Sequence, residues 1–233
     1  MTTPEKNWIA NLPRDRLIAE FSVWSADLVR LADDLARVEP HADILHIDVA
    51  DGHFAPAMLF FPDLVAGVRK VSSRPVHVHL MVADAILLAQ IEQFADAGSD
   101  LISIHAENES VADAALELLE RRGVAAGMVL KVETPVENIR KYAPRLSFLT
   151  LLGTAIGVKG QGLDARAGER LRQAGAIIAE CGAAQRIILA ADGGIREHTV
   201  PLLRQHGAET VVLGSLAFNA PSLEDRMAWL RGL

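Results

Sequence analysis

Two side chains able to do chemistry stand two positions apart in an otherwise apolar stretch, His46 and Asp48 in DILHIDVADGHFAP (43–56). Side chains of a β-strand alternate between faces, so these two share one face and the aliphatic residues around them share the other. An unpaired buried charge is costly. A hydrogen-bonded core would satisfy the pair, and so would a metal ion or a reacting substrate. The turn signal Asp51-Gly52 places both residues near the strand's C-terminal end.

Other polar side chains also fall at the ends of apolar runs. They are His77 and His79 in RPVHVHLM, Ser103 and His105 in the next run, and Asp192 at the end of RIILAADGG. If these runs are parallel strands, their C-terminal ends meet at one edge. Candidate metal ligands are then His46, Asp48, His79 and Asp192. Mixed nitrogen and oxygen donors suit a divalent ion such as Zn, Fe, Mn or Co. A buried His–Asp hydrogen-bond network is the alternative.

Glycine-rich turns late in the sequence suggest a phosphate site. Asp192-Gly193-Gly194 is predicted to open the seventh helix, and Gly214-Ser215 the eighth. Backbone N–H groups at such turns hold phosphate without net positive charge, and glycine permits close approach. Gly157, Gly160 and Gly162 form a third flexible segment that could close over a ligand. Glycine is also ordinary in loops, so the turns alone are a weak signal.

Eight strand-and-helix units are needed to position these residues. Predicted strands cover 18–24, 43–51, 75–81, 100–105, 124–131, 146–152, 186–192 and 210–213, and helices between them include 26–38, 83–97, 111–122, 165–180 and 196–205. This alternation predicts a single-domain α/β fold, a TIM (β/α)8 barrel, with its active site at the C-terminal strand ends. The runner-up is an open doubly wound sheet, but SVWSADL lacks the dinucleotide fingerprint. We expect an irregular arm over 1–16, held by Trp8 and Ile9, and a barrel over 17–233.

Composition narrows the class of protein further. The chain has 233 residues, half of them hydrophobic, and a net charge of −7. That acidity argues against a nucleic-acid or anionic-membrane partner. The single cysteine, Cys181, excludes an intramolecular disulfide and suits a reducing compartment. No run reaches the ~18 apolar residues of a membrane span. We therefore expect a soluble cytoplasmic protein that handles a small molecule.

Several separated motifs together resemble the ribulose-phosphate 3-epimerase family. The resemblance covers about 18–218, most of the chain. Its motifs are SVWSADL (22–28), HIDVADGHFAP (46–56), VHLMV (78–82), HAE (105–107), TPVE (134–137), GQ (160–161), DGGI (192–195) and LGSLAF (213–218). The resemblance implies a metal-dependent isomerase acting on a small phosphorylated ketose. By the same analogy it implies a homo-oligomer, either a dimer or a hexamer.

The resemblance also implies roles for particular residues. His46, Asp48, His79 and Asp192 would be the metal ligands, and Asp48 and Asp192 the acid–base pair. Residues facing the substrate or its phosphate would be Ser22, His79, Gly157, Gly160, Gly193, Gly194, Gly214 and Ser215. Epimerisation beside a ketone removes a proton from one face of C3 and returns one to the other, through an enediolate. Two carboxylates can do this, with D-ribulose 5-phosphate and D-xylulose 5-phosphate as the default pair.

Other positions carry residues that differ from those usual in the family. They are Trp24 for Leu, Ala50 for Met, His77 for Asp, Leu130-Lys131-Val132 for Leu-Asn-Pro, Ala190 for an acidic residue, and a loop over 152–162 that is apparently two residues longer. Trp24 either shortens the pocket or packs in the barrel floor. Lys131 either meets a substrate oxygen or phosphate, or pairs with Glu20.

These departures leave other functions open. The same chemistry could act on another ketose phosphate, such as a tetrulose or hexulose phosphate. A sugar-phosphate lyase of a related phosphate-binding barrel is a second possibility, with Lys131 stabilising the enediolate. A sugar-phosphate-binding protein without catalysis is the third, and the two acid–base carboxylates argue against it.

Overall fold

The computed structural model describes residues 7–182 and 186–233. Eight of its strands run parallel and pair in the order β1-β9-β8-β7-β6-β5-β4-β2, and β1 pairs again with β2 to close the ring. The strands are β1 (Ile18–Ser22), β2 (Ile44–Asp51), β3 (Met58–Leu59), β4 (Val76–Met81), β5 (Leu101–His105), β6 (Ala125–Leu130), β7 (Phe148–Leu152), β8 (Ile188–Asp192) and β9 (Thr210–Leu213). The short β3 pairs antiparallel with β2. Closure confirms the TIM barrel and excludes the open sheet.

Helices surround this ring and cover its aliphatic outer face. They are α1 (Leu31–Val38), α2 (Pro62–Val71), α3 (Asp84–Asp96), α4 (Ala112–Arg122), α5 (Ala167–Cys181), α6 (Val200–Gln205), α7 (Ser215–Phe218) and α8 (Leu223–Arg231). Local signals set their ends. Pro62 occupies the first turn of α2, where its missing N–H costs nothing, and Gly123 ends α4 in the left-handed conformation at φ 67°. No helix in the described ranges is long and apolar enough to cross a membrane.

Two helices begin later than the sequence predicts. The predicted helix 26–38 begins only at Leu31, because Asp27 accepts a hydrogen bond from the Val29 N–H and so supports a turn instead. The predicted helix 196–205 begins at Val200. The prediction that Asp192-Gly193-Gly194 opens this helix is therefore wrong. Gly193 and Gly194 have φ of 88° and 70°, which a right-handed helix excludes.

The N-terminal segment closes the bottom of the barrel. Trp8–Asn11 forms a turn of 3₁₀ helix, and Trp8, Ile9 and Leu12 pack against an apolar layer. That layer comes from the first residues of their strands, among them Ile18, Ile44, Leu101, Phe148 and Ile188. Trp8 and Ile9 therefore contact the body as predicted. Residues 1–6 of the expected arm lie outside the described residues, and the division into 1–16 and 17–233 stays a prediction.

A buried polar belt crosses the middle of the barrel above this apolar layer. Its members are Glu20, His46, His77, Ser103, Thr150 and Thr210, which come from six strands and have no exposed surface. Gly127 on β6 completes the packing. A Cβ atom built there would lie 2.0 Å from Ser103 Oγ and 3.1 Å from Ser103 Cβ. The belt lies directly beneath the C-terminal strand ends, and it fits together only because this position carries no side chain.

Gly127→Ala is expected to lower the free energy of unfolding by about 1–3 kcal/mol, the usual cost of overpacking a core. The added methyl displaces Ser103, whose Oγ is 2.7 Å from His77 Nε2. Urea unfolding followed by circular dichroism measures the change. Gly67→Ala is the matched control, because it lies within α2 with nothing within 4 Å of the added Cβ. It should stabilise the protein by about 0.5–1 kcal/mol. Equal effects at the two glycines would contradict the packing argument.

Candidate functional site

Four of the sequence-predicted residues converge at the C-terminal end of the barrel. His46 and Asp48 come from β2, His79 from β4 and Asp192 from β8. One donor atom from each lies within 4.8 Å of every other. Alternation along each strand sends these side chains inward, and the parallel register places them at one level, with Asp48 opposite His79. The structure therefore brings together the set predicted as ligands.

Two of the three separations between these donor atoms match those of ligands bound to one divalent ion. His46 Nε2 is 3.1 Å and His79 Nδ1 is 3.2 Å from Asp48 Oδ1, and His79 Nδ1 is 3.9 Å from Asp192 Oδ2. Ligands bound about 2.1 Å from one ion at near-tetrahedral or octahedral angles stand about 3.0–3.4 Å apart. Two imidazoles with two carboxylates are donors that zinc, iron, manganese or cobalt accept. The cluster could thus bind such an ion.

A carboxylate lies behind each imidazole of the cluster, in direct contact with His46 and through a second imidazole for His79. His46 Nδ1 lies 2.7 Å from Glu20 Oε1. His79 Nε2 lies 2.8 Å from His105 Nε2, and His105 Nδ1 lies 2.9 Å from Glu107 Oε2. The sequence analysis assigned no site role to Glu20 or Glu107. The available signal was the spacing of Glu20 two residues before Ser22, which puts both on the inner face of β1.

The two carboxylates of the cluster are electrostatically different. Burial, followed by repulsion from the Asp48 carboxylate, raises the pKa of Asp192 to about 6. Burial acts against ionisation of Asp48 too. The charge of His46 and hydrogen bonds from His46 and His79 outweigh it and hold the pKa of Asp48 below its usual range. Ser22 Oγ also donates to Asp48 Oδ2 at 3.0 Å. The site therefore combines one carboxylate, Asp48, that stays ionised with another, Asp192, that gains a proton more readily.

A cavity of about 400 Å³ opens above the cluster. Its walls include Ser22, Asp48, His79 and Asp192, together with the predicted glycine segments and Ser215. These glycines are Gly157, Gly160, Gly193, Gly194 and Gly214. A side chain does not fit at position 194, because a Cβ atom on Gly194 would lie 2.7 Å from the Leu163 Cα atom. The structure thus gathers every sequence-predicted substrate or phosphate residue around one cavity.

Of Trp24 and Lys131, the two altered residues for which alternative positions were predicted, only Trp24 is among the cavity-lining residues of the described chain. Trp24 lines the cavity, so the prediction that it packs in the barrel floor is wrong. Lys131 is not among the cavity-lining residues of the described chain, and its Nζ lies 3.7 Å from the centre of the Phe54 ring. The predicted Lys131–Glu20 pair is also wrong, because the Glu20 carboxylate contacts His46 and His77. Lys131 is thus placed neither for the substrate contact nor for the lyase role.

Lys159 is a cavity residue that the sequence analysis did not select. Its Nζ donates to the Trp24 carbonyl at 2.6 Å and lies 4.5 Å from the centre of the indole. Gln161 Nε2 donates hydrogen bonds to the backbone carbonyls of Ala155 and Val158, so these bonds link residues within the same loop. The long loop over 152–162 therefore forms one wall of the cavity.

Comparisons with solved structures confirm the architecture. The chain superposes on 3-hexulose-6-phosphate synthase with a TM-score of 0.64, 16% sequence identity, and coverage of 93% of this chain and 96% of that one. The tryptophan synthase α-subunit of Pyrococcus furiosus gives a TM-score of 0.67 at 18% identity, with 95% and 100% covered. At these identities the likeness shows the barrel fold alone.

Sequence comparisons are more specific. The family model described as the ribulose-phosphate 3 epimerase family matches residues 18–218. The ribulose-phosphate 3-epimerase of Bacillus subtilis is 32% identical over 212 residues, covering 91% of this chain and 96% of the relative. That of Chlamydia pneumoniae is 30% identical over 214 residues, covering 91% and 93%. The chain therefore belongs to the ribulose-phosphate 3-epimerase family, whose members are isomerases that act on a phosphorylated ketose.

Proposed function

We propose that this protein is a metal-dependent ketose-phosphate 3-epimerase, with D-ribulose 5-phosphate and D-xylulose 5-phosphate as its default substrate pair. One observation carries the proposal. Two carboxylates, Asp48 and Asp192, project from different strands into one cavity beside two imidazoles. A binding protein has no need of two opposed carboxylates at the same point, whereas inversion of a carbon centre does.

The carboxylates divide the proton transfers between them. One takes the proton from C3, and the C–H electron pair moves into the C2–C3 bond as the ketone oxygen becomes negative. The other carboxylate delivers a proton to the opposite face of C3, which restores the ketone with inverted configuration. In the reverse direction the two residues exchange roles. Ser22 holds Asp48 in position through its hydrogen bond to Oδ2.

His46, Asp48, His79 and Asp192 are the residues that would hold the metal ion. When bound, a divalent ion supplies a Lewis acid that lowers the energy of the negative enediolate oxygen. His46 and His79 are both buried, so they keep bulk water away from the reacting oxygens. The same burial makes each hydrogen bond to Asp48 stronger than it would be in water.

The substrate phosphate is proposed to lie against the turns at 193–194 and 214–215. Both turns line the cavity on the side opposite β4. A Cβ on Gly214 would stand 2.8 Å from Ser25 Oγ, so the backbone there is already close-packed. Backbone N–H groups and the Ser215 hydroxyl would then hold the phosphate.

The test of this function is deuterium incorporation at C3 of D-ribulose 5-phosphate in heavy water with the metal-loaded protein. Exchange accompanied by xylulose 5-phosphate supports the proposal, since both proton transfers are then seen. Deuterium exchange without formation of xylulose 5-phosphate would mean that the protein removes and returns the proton on the same face of C3. Absence of exchange with every ketose phosphate from tetrulose to hexulose would exclude an epimerase of this class.

Trp24 is expected to limit the length of the sugar phosphate that the cavity accepts. Trp24→Leu should raise the ratio of kcat/KM for a hexulose phosphate over D-ribulose 5-phosphate by about 10-fold or more, because one methylene of pocket space is worth 10–200-fold in discrimination. Phe61→Leu, an equally large aromatic-to-leucine change on the exposed surface, is the control. An unchanged ratio in Trp24→Leu would mean that the indole does not limit the sugar, and that another wall sets the length.

The oligomeric state of the protein and its location in the cell remain predictions. A homo-oligomer, dimer or hexamer, is tested by light scattering during size-exclusion chromatography. The cytoplasmic location is tested by cell fractionation.

A further inference from the structure

We propose that Glu20 is a positioning residue for the metal site, holding His46 with its Nε2 lone pair directed at the cluster. This inference rests on the metal-dependent function proposed above. It assigns a role to a buried acidic residue on β1 that touches neither the cavity nor the cluster carboxylates.

The contacts of Glu20 are those of a carboxylate that receives two imidazole N–H groups. Its Oε1 lies 2.7 Å from His46 Nδ1 and 2.5 Å from His77 Nδ1. Glu20 is fully buried. A single carboxylate oxygen that faces two ring nitrogens at these distances accepts a hydrogen bond from each, so both Nδ1 atoms carry a hydrogen.

This contact orients the ring of His46. With Nδ1 donating to Glu20, the other ring nitrogen, Nε2, faces the cluster and lies 3.1 Å from Asp48 Oδ1. A proton can bridge these two atoms, and a metal ion that binds His46 through Nε2 displaces that proton. The carboxylate of Glu20 thus prepares a cation site on the far side of the imidazole and makes Nε2 a stronger ligand.

His77 and Ser103 hold Glu20 itself in place. Ser103 Oγ lies 2.7 Å from His77 Nε2, and a hydroxyl donating there leaves the His77 hydrogen on Nδ1, directed at Glu20. The order Ser103, His77, Glu20, His46 is therefore one directed chain of hydrogen bonds that ends at the cluster.

The same three residues could in principle form a second metal site, since Glu20, His46 and His77 also lie close together. The distances decide against it. Oxygen-to-nitrogen separations of 2.5 and 2.7 Å are hydrogen-bond lengths, shorter than the roughly 3.0–3.4 Å expected between ligands of one ion. Glu20 acts through His46 rather than as a ligand of its own.

The test is Co²⁺ affinity, followed by the visible absorption of the bound ion during titration of the metal-free protein. Glu20→Gln keeps the shape and one acceptor oxygen but removes the charge, and Glu20→Met removes both. We expect affinity to fall about 10-fold in Glu20→Gln and about 100-fold in Glu20→Met, the range for residues that orient a metal-bound imidazole. Thr150→Val is the control, because Thr150 is a buried member of the same belt whose hydroxyl has no hydrogen-bond partner among the described residues.

A second readout needs no variant. In zinc-loaded wild-type protein, ¹⁵N NMR should show His46 with its hydrogen on Nδ1 and the shift of a metal-bound nitrogen on Nε2. Wild-type affinity in both Glu20 variants, or a His46 hydrogen on Nε2, would overturn this inference and leave the metal site standing. Failure of the wild-type protein to bind Co²⁺ would overturn the metal site together with it, so the two failures are distinct.

Discussion

Asp192→Asn is expected to lower the rate of deuterium incorporation at C3 of D-ribulose 5-phosphate by about 10²–10⁴-fold, the usual contribution of a positioned acid or base. Asparagine keeps the size and one oxygen of the side chain but carries no proton between the faces of the sugar. Asp192 suits this task because its carboxylate lines the cavity and is about one-fifth exposed, whereas the Asp48 side chain is 8% exposed. The measurement is the C3 proton signal in heavy water over time.

Two controls make the Asp192 result specific. Asp113→Asn changes an exposed carboxylate on α4 that pairs with Arg145, and it should leave the rate unchanged. Metal content, measured on the purified variant, separates loss of a ligand from loss of a proton carrier. A metal-replete Asp192→Asn protein with wild-type exchange would remove Asp192 from the proposed acid–base pair.

Removal of the metal is the second large effect. Treatment with a chelator, followed by its removal, should reduce epimerisation by about three orders of magnitude, because a Lewis acid contributes several kcal/mol to stabilising a developing oxyanion. Zn²⁺, Fe²⁺, Mn²⁺ and Co²⁺ are then added back one at a time, and the ion that restores most activity at equal occupancy is identified. Full activity in protein shown to be metal-free would contradict the proposal.

The same experiment has a stability readout that does not depend on catalysis. An ion present at 100 times its Kd adds about 2.7 kcal/mol to the free energy of unfolding. Denaturant unfolding with and without Zn²⁺ measures this gain. His46→Gln, which keeps a polar group in the belt, should unfold at nearly the same denaturant concentration with or without the ion.

The convergence of the candidate site could be predicted from the sequence because two simple rules apply to it. Period-two alternation put His46 and Asp48 on one face, and the location of active sites at strand C-termini joined them to His79 and Asp192. Strand positions were predictable for the same reason, since buried parallel strands are nearly continuous apolar runs. The structure moved strand ends by a few residues and left these side chains where expected.

What the sequence could not show depends on closure of the ring. Glu20 lies 26 residues before His46 and 57 before His77, so nothing local indicates that all three meet. The sequence analysis assigned Lys131, which follows β6, a role from its charge alone, yet its ammonium group lies over the Phe54 ring in the loop after β2. Gly193-Gly194 was read as a helix start by composition, and only the backbone angles showed that the chain must turn first.

Closure of the barrel through β1 has a consequence for biosynthesis. Ile18 to Phe21 pair with β9 on one side, and Glu20 to Ser22 pair with β2 on the other. As the chain leaves the ribosome, β1 and β2 emerge early, with Glu20, His46 and Asp48 already among them, but β8 and β9 follow more than a hundred residues later. Until then the acidic and imidazole groups of the belt face water. Contacts this far apart in sequence form slowly, so a nascent chain released early would carry half a metal site and an open sheet edge.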